Sequence, residues 1–112
     1  MIRVISVILL SMISVFASAT QYTGTGNIVR LVSIPGGDNR DYIAVYNFTS
    51  AGNCPVSSGL VIAKIQTSAS GNRVYSLALA AKVSGKQVKL VVDNALKNDE
   101  GFCYVKSLEF VE

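Results

Sequence analysis

The sequence predicts a mainly β fold: a small closed barrel of the OB type, with five strands and one helix between the third and fourth. Two observations predict it. After residue 19, five short stretches rich in β-branched and aromatic residues alternate with clusters of Gly, Pro, Asn and Ser. A single stretch, 70–84, switches from a period of two to a helical period. Five short strands around one helix suit a small barrel whose helix plugs one end. An open α+β sheet with one helix on a face is the alternative.

The 112 residues divide before any element is assigned. Met1-Ile2-Arg3 is a short positive start, Val4 to Phe16 is apolar apart from three serines, and Ala17-Ser18-Ala19 is a small-x-small cleavage pattern. That is the layout of a secretory signal peptide. The apolar run is about 13 residues, whereas a bilayer span needs about 20. Residues 1–19 are therefore expected to be removed, leaving 20–112 as one domain without a transmembrane segment. Its expected location is secreted or periplasmic. The 50% hydrophobic content of the whole chain is inflated by this segment, which holds 14 hydrophobic residues. Without Arg3 the remainder carries nine basic against seven acidic residues. So slight an excess gives no reason to expect nucleic acid as a partner.

The elements follow in order. Tyr22 to Asn27 reads as a flexible start, and Ile28 to Ile34 as the first strand. Pro35-Gly36-Gly37-Asp38-Asn39 is a turn cluster. Asp41 to Phe48 forms the second strand, with aromatic residues at Tyr42, Tyr46 and Phe48. A polar loop, 49–59, carries Cys54. Leu60 to Gln66 is the third strand. In the helical stretch Val74, Leu77, Ala78 and Ala81 share one face. Ser68 or Ser70 can cap its start and Gly85 its end. Lys86 to Val92 is the fourth strand, 93–101 a polar loop, and Cys103 to Val111 the fifth strand. The alternation of that last strand slips near Lys106-Ser107, as a bulge would make it.

Cys54 and Cys103 are the only cysteines. In an exported chain they are expected to form a disulfide. Closing a loop of about 50 residues is worth roughly 4 kcal/mol by the chain-entropy estimate. No histidine is present, so Ser-His-Asp catalysis and ordinary zinc sites are excluded. The acidic residues sit mainly in loops. The expectation is a protein that is not an enzyme and carries no metal or cofactor.

Two features point instead to binding. The first is a mixture of five tyrosines with Asn- and Ser-rich loops, which offers sugar rings an apolar face and their hydroxyls hydrogen bonds. Tyr22 is the candidate ring near the start of the domain. The second is the helix, where Leu79 and Val83 form an i, i+4 apolar pair away from the core face, with Tyr75 and Lys82 between. Either a loop covers this second stripe or another subunit does. Tyr75, Leu79 and Val83 are the candidate interface residues.

The stretch from Val74 to Val92, VYSLALAAKVSGKQVKLVV, resembles the binding (B) subunits of pentameric bacterial toxins of the subtilase cytotoxin and typhoid toxin type. An aromatic residue, an LxLAA helix, an SGK turn and a strand of alternating Val follow one another. The resemblance extends weakly to the rest of residues 20–112, and also to small secreted bacterial proteins. It implies an OB-fold, a homopentamer, recognition of host-cell glycans, and pairing with a catalytic A subunit. In those subunits a Ser-Asp pair before the first strand takes part in glycan binding. The matching segment here is Gly24-Thr25-Gly26-Asn27, so Thr25 and Asn27 are the candidate ligand-binding residues alongside Tyr22. The rival expectation is a monomeric periplasmic or envelope OB-fold protein with a structural or stress role and no glycan site.

Overall fold

The computed structural model describes residues 20–111. The signal peptide expected at residues 1–19 lies outside the described residues. Eight short strands and one helix follow in the order β1 (Gln21–Gly26), β2 (Ile28–Val32), β3 (Tyr42–Val45), β4 (Val56–Ser57), β5 (Leu60–Val61), β6 (Ala63–Lys64), α1 (Ala69–Ser84), β7 (Val88–Lys97) and β8 (Cys103–Phe110).

The fold is mainly β, with one helix and a mixed six-stranded sheet of order β1-β7-β8-β6-β3-β2. Every pairing in it is antiparallel except β6 with β8. β4 and β5 pair separately as a small hairpin. The strand order has two ends, which fits the open α+β alternative. Eight strands replace the five expected, for three reasons, the simplest being that the loop expected at 49–59 contains the short strand β4. The third expected strand is interrupted at Ile62, whose amide bonds to the Pro55 carbonyl instead of the ladder. Residues 22–26, within the start expected to be flexible, belong to a strand, β1, that pairs with β7 along its length.

Glycine explains that last difference. On β1 the residues Tyr22, Gly24 and Gly26 face inward, while Gln21, Thr23 and Thr25 are exposed. The Phe48 ring lies where a Cβ on Gly24 would stand, and a Cβ on Gly26 would come within 2.8 Å of the Tyr46 carbonyl oxygen. The two glycines mark close approach within a strand, not looseness.

Several local expectations hold. Ser68 caps α1, its hydroxyl accepting from the Gly71 amide at 3.0 Å. Gly85 ends it at φ 71°, in the left-handed region. On β8, Lys106 is the extra residue between the pairs Val92–Val105 and Val91–Ser107, so the bulge is where the alternation slips. β7 continues to Lys97, into the stretch expected to be loop.

The core is made by Ile28, Ile43, Val45, Val61, Val88, Leu90 and Val92 from the strands, closed by Ala78 and Ala81 of α1. The small alanines let the helix lie close on the sheet. Cys54 and Cys103 form the expected disulfide, with Cα atoms 5.5 Å apart. It ties the loop before β4 to the first residue of β8. No helix among the described residues is long and apolar enough to cross a membrane.

Candidate functional site on the outer face of β1

The register of β1 and β2 decides which of the candidate residues meet. Ile28 pairs with Val45, and both are buried. One step out, the Tyr46 amide donates to the Asn27 carbonyl at 2.8 Å. Opposed residues of an antiparallel pair project to the same side. Asn27 and Tyr46 therefore stand together on the outer face, where both are exposed. Tyr46 is 66% exposed, the most open aromatic residue among the described residues.

Two residues back, Thr25 is also exposed. It pairs with Lys89 of β7, which pairs in turn with Glu109 of β8. Lys89 and Glu109 form a surface ion pair at 3.5 Å. The outer face thus carries a polar row, Thr25, Lys89 and Glu109, next to the couple Asn27 and Tyr46. The backbone beneath is held by the ladder, so the side chains stand on a fixed frame. Val29, the extra residue of a bulge between Ile28 and Arg30, adds an apolar spot, 44% exposed.

Tyr22 does not belong to this face. Its side chain points inward, packs against the core, and its hydroxyl end lies against Gly52. Of the three candidate binding residues, the structure brings Thr25 and Asn27 together and separates Tyr22 from them. Tyr46 takes the position of exposed ring. The sequence placed Tyr46 on a strand with alternating aromatics but gave no sign that its partner is Asn27.

The helix candidates separate similarly. Leu79 is 48% and Val83 81% exposed, and no described segment covers them. Tyr75 is half-buried and packs partly on the core.

A second polar cluster has a different character. Lys64 is almost wholly buried, its ammonium 4.9 Å from the ring centres of both Tyr42 and Phe102. It donates to the Arg40 carbonyl at 2.9 Å and lies 3.7 Å from a Glu100 carboxylate oxygen. Arg40 meets the same oxygen at 2.6 Å and Asp99 at 3.4 Å. The hydrogen bond from Arg40 holds the Glu100 carboxyl below its ordinary value, and the positive charges of Arg40 and Lys64 act in the same direction. Buried Asn98 donates to the Asn39 carbonyl and accepts from the amides of Glu100 and Phe102. Every buried side-chain polar atom among the described residues has a partner. This cluster clamps the turn at 36–41 to the turn at 98–102. Its members are already satisfied by one another, which is the mark of a structural network.

Among the described residues no three His, Cys, Asp or Glu side chains come together as a metal site would require. In comparisons with known proteins the chain matches no family model, no curated protein and no solved structure.

Proposed function

We propose that this chain is an exported, non-catalytic binding module that recognises carbohydrate through the outer face of β1. The observation that carries the reading is Tyr46, open to solvent opposite Asn27, with Thr25 two residues further back on the same face. An amphipathic ring offers its face to the C–H side of a sugar, while an amide and a hydroxyl beside it bond the ring's hydroxyls. The resemblance to toxin B subunits favours host-cell glycans as the ligand, and a catalytic A subunit as a further partner.

The site is shallow, so a single copy would bind weakly. Several copies on one ring gain avidity without any new contact. The uncovered Leu79 and Val83 support a homo-oligomer built through α1, a pentamer on the resemblance. The sheet order supports the finer fold reading as well. β1 and β2 stand at its two ends, yet only Asn27 separates them in the chain. We read them as halves of one strand bent at Asn27, which turns the open order into a five-stranded OB barrel. The disulfide suits an oxidising compartment, secreted or periplasmic.

A glycan array with the full exported protein tests the reading. Binding is expected, and Tyr46→Ala is expected to abolish it while leaving the fold intact. A blank array from folded protein would sink the proposal and leave a monomeric envelope protein as the better account.

A further inference from the structure

A groove of about 320 Å³ runs along the start of α1, apart from the outer face of β1, and its walls are Asp41, Gln66, Thr67, Asn72, Tyr75 and Ser76. That volume is at the small end of the range for ligand pockets. A neighbouring groove of about 250 Å³, sharing Ile65, Gln66 and Gly71, is lined mainly by Val74, Leu96 and Val105. The two differ in chemistry, and only the first gathers hydroxyls, amides and a carboxylate around an aromatic ring.

The rim of the first groove is held in place. The Thr67 hydroxyl accepts from the Asn39 amide and the Thr67 amide donates to the Asn39 side chain, both at 2.7 Å. One Asp41 carboxylate oxygen accepts from the Ile34 amide at 2.8 Å. A rim fixed in this way loses little freedom when a ligand binds.

The charge pattern selects the ligand. No Lys or Arg lines the groove, and Asp41 is its one ionisable acid. The helix end offers an anion little, because the Gly71 amide bonds the Ser68 hydroxyl and the Asn72 amide the Ser68 carbonyl. Phosphate, sulfate and carboxylate groups are thereby disfavoured. A neutral polyol suits what remains. Asp41 accepts from its hydroxyls, Asn72 and Gln66 both donate and accept, and Tyr75 supplies a ring face.

We infer that this groove is a second binding site, for one neutral hexose-sized sugar, separate from the outer face and independent of whether that face binds anything. The test uses isotope-labelled protein, residues 20–112, titrated with D-glucose, D-galactose and D-mannose while amide resonances are followed. Shifts confined to Thr67, Gly71, Asn72 and Ser76 are expected for at least one sugar, with millimolar affinity. Asn72→Ala and Ser76→Ala lie on exposed helix positions, where alanine favours the helix. Each is expected to weaken binding about five- to tenfold, the worth of one hydrogen bond. Tyr46→Ala should leave this binding unchanged. Three results would overturn the inference: no shift with any of the three sugars, shifts at Thr25, Asn27 and Tyr46 that Tyr46→Ala removes, or tighter binding of glucose 6-phosphate than of glucose. The second of these would still support the outer-face reading.

Discussion

The Lys64 cluster and the outer face of β1 use similar residue types to opposite ends. Around Lys64, the ammonium and the Asn98 amide turn inward, the ammonium against two aromatic rings, and the partly exposed Arg40 and Glu100 pair with each other over them. On the outer face, Thr25, Asn27 and Tyr46 have their backbones held by the ladder and their side chains left in water. A polar residue matched by its own chain holds the chain together. A polar residue on a fixed backbone with its side chain unmatched is available to something else. Polarity alone does not separate the two; the partners do.

The comparison can be broken from the structural side first. Replacing Cys54 and Cys103 together by Ser should remove about 4 kcal/mol of stability, read as a fall in urea midpoint. A loss below about 1 kcal/mol would mean that the clamp holds the two turns without the bridge. Next in size is Lys64→Ala, expected to cost about 3 kcal/mol through the emptied space between Tyr42 and Phe102 and the lost cation–π contacts. Lys64→Met should restore most of that loss in chemical denaturation if stem packing dominates, and little of it if the charge does.

The cluster also carries a pH signature. The folded carboxyl of Glu100 is held low, so the unfolded chain binds its proton more readily. Glu100 therefore adds stability above its ordinary value, and that contribution fades as pH falls through the lowered folded value. Glu100→Gln should flatten the acid side of the stability–pH curve and leave its slope above pH about 6 unchanged, because glutamate has finished titrating there. An unchanged acid limb would place the acid sensitivity elsewhere. The smallest stability effect is expected at the outer face. Tyr46→Ala should shift the unfolding free energy by no more than about 0.5 kcal/mol. A larger cost would show that the ring packs against its own chain and belongs with the structural group.

What the sequence disclosed follows the reach of the interactions. The helix was legible with both its caps, because Ser68, Gly85 and the apolar spacing act within a few residues. The bulge at Lys106 was legible because it breaks a local alternation. The disulfide followed from counting cysteines. Gly24 and Gly26 were misread because a glycine that yields to Phe48 looks, locally, like a glycine that supplies flexibility. The neighbours of Lys64 come from Tyr42 and Phe102, far apart in the chain, so nothing near Lys64 announced them. Thr25 and Asn27 were identified by resemblance, whereas Tyr46 needed the register between β2 and β3.

The bridge between Cys54 and Cys103 also sets how the domain bears tension. A pull applied at the two ends of the chain passes along the backbone to Cys54, crosses the sulfur atoms and leaves along β8. The segment between the cysteines, which holds α1 and β7, is bypassed. With a sequence separation of 49 between the cysteines, roughly 160 Å of contour stays stowed until the bridge is reduced. Under oxidising conditions the protein is thus a short tether with a sheltered loop, and reduction makes it a long one.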